Sequence, residues 1–197
     1  MGASGIPSEC AALLTSLVGR TIVGATRYSW YSAAEAQRRC AAPARAVFSL
    51  TRGPLALEFD SGLILGIAND PSLRSIRVWV ERNELGRAVA AKPCASDGDL
   101  HPIDATDPIL SDALWRNIIG AKVSAISTLI HKPATAKEQA LPNEAGLCFD
   151  LDTGVRIVAG HGLHDGSADF AIIPEEWIAN DIRPQLSKGR LPLSAPG

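Results

Sequence analysis

Apolar residues fall at helical spacing twice in this chain, and each time a long alternating stretch follows. Leu13, Leu14, Leu17 and Val18 share one face of a helix that Ser8 is placed to cap, and Gly19 sits where a left-handed stop belongs. Leu110, Leu114, Ile118 and Ile119 form the second stripe. Asp107 is its cap, Pro108 its first position and Gly120 its stop. Residues 21–31 and 122–131 then read as strands rich in β-branched and aromatic side chains. A polar excursion comes next, 33–39 in the first stretch and 134–140 in the second. Either is compatible with a short surface helix or a loop, closed by Pro43 and Pro142.

Two apolar runs follow each excursion, joined by turn chemistry. Residues 55–59 pass through Asp60-Ser61-Gly62 into 63–67, and residues 146–149 pass through 150–154 into 155–158. Asp bonds locally to backbone and Gly accepts a positive φ, so both turns predict hairpins. Last strands are expected over 75–80 and 168–173. The same order of signals thus occurs twice. It predicts an internally duplicated α+β fold, each copy one helix plus about four mainly antiparallel strands, with the copies sharing a core. The expected boundaries are 1–82 and 107–182 for the copies, 83–106 for a connector without period, and 183–197 for a tail that is a surface strap or mobile.

Charge changes this picture little. Nineteen basic residues against 21 acidic give a net charge of −2, which argues against nucleic acid as a partner. Residues 1–100 hold eleven Lys and Arg against nine Asp and Glu, and residues 101–197 hold eight against twelve, so the second half is the acidic one. No run approaches the ~20 apolar residues that a membrane helix needs, and the first residues lack a basic, then apolar, secretory pattern. A cytoplasmic protein with no membrane partner is expected, its oligomeric state open. Cys10, Cys40, Cys94 and Cys148 are scattered, without the clustered spacing of a zinc site. Cys10 and Cys148 lie in apolar stretches and read as small buried hydrophobes.

Three constellations are candidates for chemistry. Asp60-Ser-Gly and Asp152-Thr-Gly, one in each stretch, resemble the paired loops of aspartic proteases, in which two carboxylates share a proton and activate water. The residue after each Gly is Leu63 or Val155, where that family carries Ser or Ala, and the tripeptide is in the first place good turn chemistry. His161 and His164 with Asp165, followed by Asp169, are metal-ligand types in a Gly-rich loop and suggest a metal-dependent hydrolase as an alternative. Their spacing is not the helical one that enforces convergence, and a polar loop carries the same residues. Third, alternation over residues 27–31 sets Tyr28 and Trp30 on one face and Arg27, Ser29 and Tyr31 on the other. Arg, Tyr and Trp anchor interfaces, and a strand packed on one side, with Tyr28 and Trp30 inward, looks the same. No phosphate loop, nucleophile elbow or dinucleotide fingerprint occurs, so no cofactor is expected.

The rhythm of Val18-Gly-Arg-Thr-Ile-Val-Gly-Ala, Leu57-Glu-Phe-Asp-Ser-Gly-Leu-Ile-Leu and Ile76-Arg-Val-Trp-Val-Glu resembles small β-rich immunity-type proteins of bacterial toxin–immunity systems. It returns in Ile119-Gly-Ala-Lys-Val and Phe149-Asp-Leu-Asp-Thr-Gly-Val-Arg-Ile. The resemblance implies a non-enzymatic inhibitor that binds and occludes a cognate toxin domain, and it transfers no catalytic residue. The expected partner-binding residues are Arg27, Tyr31, His161, His164, Asp165 and Asp169.

Overall fold

The structure, a computed structural model, describes residues 4–164 and 169–191. It shows a mixed α+β fold of two antiparallel sheets and a few short helices. Strands β1 (Ser4–Gly5), β2 (Ile22–Ser29), β3 (Leu55–Phe59), β4 (Ile64–Asp70), β5 (Ser75–Arg82) and β6 (His101–Asp104) form the first sheet, in the order β1-β5-β4-β3-β2-β6. Strands β7 (Val123–His131), β8 (Glu144–Leu151), β9 (Arg156–His161), β10 (Phe170–Pro174) and β11 (Leu186–Arg190) form the second, in the order β10-β9-β8-β7-β11.

Apart from β1, the path is the same in both sheets. A four-strand meander is completed by a fifth strand that returns to the free edge of the first. The registers also agree: Thr26 pairs with Asp104 and Ser29 with His101, as Ser127 pairs with Arg190 and Ile130 with Ser187. A bulge interrupts β2 between Ile22 and Gly24, and one interrupts β7 between Val123 and Ala125.

The sheets meet at one corner, where Thr21 bridges Lys122. The main-chain hydrogen bonds there are reciprocal. Gly19 donates to Val123 and Gly120 to Ile22, both at 2.7 Å, while Ile22 donates to Ala121 and Val123 to Arg20, both at 2.9 Å. Such exchange is the mark of a two-fold contact. Strand β6 pairs with β2 and β11 with β7, each as an edge strand of its sheet.

Alternate residues of both sheets meet in one core. Leu55, Leu57, Phe59, Leu65 and Ile67 join Leu147, Phe149, Ile157 and Phe170. Helices α1 (Ala11–Ser16) and α4 (Ala113–Ile118) close it with Leu14 and Trp115. A smaller cluster lies on the far face of the second sheet, where Ile178 and Ile182 cover Leu129, Cys148 and Val158. Covered on both sides, β10 is buried throughout, which is why its sequence is apolar without alternation. All four cysteines are free thiols, and Cys10 and Cys148 are buried as the apolar surroundings predicted.

The helix starts differ from expectation. Ser8 does not cap α1; its main-chain N–H goes to the Glu144 carboxylate at 2.8 Å. Asp107 stabilises a turn through the N–H groups of Ile109 and Leu110, and α4 begins later, capped by Asp112. Both excursions contain helices with side-chain caps, α2 (Ala33–Arg39) at Ser32 and α5 (Ala136–Gln139) at Thr135. A one-turn helix, α3 (Val47–Leu50), follows α2. The connector holds β6, and the tail holds β11 before residues 192–197, which lie outside the described residues.

Candidate functional site

Strand β2 alternates as expected, with its faces exchanged. Arg27 and Ser29 are wholly buried, Tyr28 is half-buried, and Trp30 is 59% exposed. The interior at this end accepts polar groups because carbonyls and hydroxyls line it. Arg27 donates to the carbonyl of Thr51 and, at 2.7 Å, to that of Phe170, with its guanidinium 4.4 Å over the Phe170 ring. The Ser29 hydroxyl pairs with that of Thr51 at 2.6 Å. Burial lowers the Arg27 pKa to about 9, which leaves the group charged at neutral pH. The expectation that Arg27 meets a partner is therefore corrected. It is an internal clamp from β2 across to β10.

What Arg27 holds from beneath is a surface patch. Arg52 forms an ion pair with Asp169 at 2.9 Å, on the first residue before β10. Tyr31 packs against the core edge, with the Arg39 guanidinium 5.0 Å from its ring centre. Trp30, Arg52, Asn69 and Asp169 surround a recess of about 60 Å³, and a second of about 150 Å³ lies among Leu50, His164, Asp169 and Phe170. Thus Tyr31, His164 and Asp169 of the expected set come together across the seam between the sheets. Asp165 lies outside the described residues.

Trp30 and Arg52 complete the patch and were not in that set. Trp30 reads equally well as core from alternation alone. Arg52 precedes Gly53, whose φ of 128° and closeness to Tyr28 carry the only hint: a Cβ there would stand 1.9 Å from the Tyr28 carbonyl oxygen. Only glycine lets this loop lie flat on β2. The result is a main-chain bond from Trp30 to Arg52 at 3.0 Å that sets the two side by side.

His161 is another correction as a surface contact. It pairs with Phe170 in the β9–β10 hairpin, faces inward and is buried. Its Nε2 and the Nδ1 of buried His131 have no hydrogen-bond partner. Burial pushes both imidazoles below their ordinary value of 6.5, and Arg74 and His161 add to the effect at His131. The unfolded chain therefore takes up protons that the folded one refuses. Stability is expected to be full above pH ~6.5 and to fall as the medium is acidified below it. Urea denaturation at pH 7 and pH 5 measures this. The double variant H131Q/H161Q should flatten the difference, and an unchanged difference would refute the assignment.

The aspartates of the two hairpin turns do not meet. Asp60 donates its N–H to the Thr21 carbonyl and Asp152 to that of Lys122, so the bridged pair Thr21 and Lys122 lies between them. Three strand spacings put them ~14 Å apart. The Asp152 carboxylate also accepts from the Lys122 N–H at 2.9 Å. A shared proton has no geometry here. Among the described residues, no group of three or more His, Cys, Asp or Glu is arranged to hold a metal ion, and His161 points inward while His164 is exposed.

Compared with known protein families, curated proteins and solved structures, the chain matches none. Among the described residues, no helix is long and apolar enough to cross a membrane.

Proposed function

We propose that this chain is a non-enzymatic binding module, formed by internal duplication, which acts in the cytoplasm by occluding a cognate bacterial toxin domain. The observation that carries the reading is the seam patch, where exposed Trp30 stands beside the Arg52–Asp169 pair and Tyr31. Trp, Tyr and Arg are the residues on which binding energy concentrates. The patch is also pre-organised, since Gly53 fixes the loop and Arg27 fixes β10 beneath it. Little ordering cost then remains to be met on association.

Duplication is supported by the equal strand paths, the equal registers and the reciprocal corner bonds. It also accounts for the patch being single. The position in β7 that corresponds to Trp30 is His131, which β11 covers by pairing with it at Leu186. In the first sheet β6 begins opposite Ser29 and has no residue to pair with Trp30, which is left open. One patch per chain favours a 1:1 complex.

The test is co-expression with the toxin encoded beside its gene. Protection of the cells and a 1:1 complex are expected, and W30A should weaken the complex by at least ~30-fold, as a central aromatic anchor does. Absence of protection, or equal binding by W30A, would end this reading.

A further inference from the structure

The outward face of the first sheet is covered in part, and this independent feature goes beyond the proposed toxin binding. The chain after β5 folds back over that face. Val89 donates to the Glu81 carbonyl at 3.0 Å, Arg82 bridges Ala88, and Pro93 and Ala95 pass over the sheet. Glu81, itself buried, ties floor to roof: one carboxylate oxygen accepts from the Trp79 indole at 2.6 Å and the other from the Cys94 main-chain N–H. A cavity of about 230 Å³ remains between sheet and roof.

The lining is charged in a specific way. Glu58 and Arg82 stand on either side of Ile64, each paired with it in register across the ladder. They are two strand spacings apart, ~10 Å from main chain to main chain, a gap that their side chains leave unbridged. Among the described residues neither forms an ion pair with another side chain, and both line the cavity. Space for the Glu58 carboxylate comes from Gly24, where a Cβ would lie 3.2 Å from its Oε2. Below this rim are Thr26 and the Tyr28 phenol, whose pKa burial raises, so it stays a hydrogen-bond donor.

We propose that this cavity binds a short zwitterion, specifically a free α-amino acid with a small side chain. Its carboxylate would take Arg82, a guanidinium fork suited to that planar group, and its ammonium would take Glu58. The side chain would lie inward among Ala56, Ala88 and Ala95, whose walls set the size limit. A ligand with only one charge leaves the other rim residue unanswered and gains only half the contact.

The experiment is thermal denaturation of the full chain with L-alanine, L-serine or L-valine at ~10 mM, with propylamine and propionate as single-charge controls. At least one amino acid is expected to raise the melting temperature by ~3 °C, the range for mass-action stabilisation of a chain of this size. Both controls should leave it unchanged. E58Q and R82Q, exposed positions whose unliganded melting temperatures should match the parent, should each abolish the shift. No shift with any amino acid, an equal shift with propylamine or propionate, or an undiminished shift in either variant would each overturn the proposal. Retention of toxin binding by E58Q and R82Q separates this outcome from failure of the seam patch.

Discussion

Arg27→Ala is expected to lower stability by about 3 kcal/mol, which corresponds to a fall of roughly 6–12 °C in melting temperature. Two opposing terms set this figure. Removing the guanidinium relieves a desolvated cation that faces only neutral carbonyls and a ring. Against that, the Thr51 and Phe170 carbonyls lose a charged donor, at about 1–3 kcal/mol each for a buried group left unsatisfied. The aliphatic stem also leaves a void in a close-packed region. Arg27→Met separates the terms. It refills the void and removes the charge but cannot donate, so it should recover more than half of the loss. Urea denaturation of the three proteins gives the numbers. If Arg27→Ala lies within 0.5 kcal/mol of the parent, the clamp assignment fails.

The same residue shows what the sequence can and cannot disclose. Alternation along β2 correctly sorted residues 27–31 into two faces, because a pleated strand has no other period. Which face turns inward depends on what lies opposite. The polar lining supplied by Thr51 and the Phe170 main chain comes from residues 24 and 143 positions away. Local hydrophobicity favours Tyr28 and Trp30 as core, and tertiary context reversed it.

The repeating order of helix, strand, hairpin and strand was legible because each element has its own period and each turn its own residues. The fifth strands were not. Residues 101–104 of β6 include a proline and residues 186–190 of β11 a glycine, so neither carries the apolar alternation that marks a strand. Both are edge strands, exposed on one side, and they are held by main-chain bonds to β2 and β7 more than by burial. The patch at the seam was half legible for a related reason. Tyr31, His164 and Asp169 stand out by their place in the sequence pattern, whereas Arg52 is placed by the close approach of Gly53 to Tyr28, which leaves no mark in the pattern.

Trp115→Ala tests whether the two halves form one cooperative unit, and it should cost about 4 kcal/mol, as truncation of a fully buried aromatic does. Trp115 belongs to the helix that opens the second half, yet its ring packs at a tilt of 52° against Phe48, with centroids 5.1 Å apart. Its indole N–H donates to Ser49 at 2.9 Å. Both partners lie in α3, an excursion from the first half. Deleting the ring therefore removes contacts that neither half can replace from its own residues. If the core is common, the weakened protein still unfolds in a single transition. In a Trp30→Phe/Trp177→Phe background, fluorescence from Trp79, on the first sheet, and far-UV circular dichroism, which reports both, should then give coincident curves. Trp115→Phe keeps most of the packing and loses the donor, so about 1–2 kcal/mol is expected from the unsatisfied Ser49 hydroxyl and the smaller ring. Two separated transitions in Trp115→Ala would mean that each sheet holds its own fold. The seam on which Trp30, Arg52 and Asp169 meet would then be a contact between independent bodies and no longer a rigid platform.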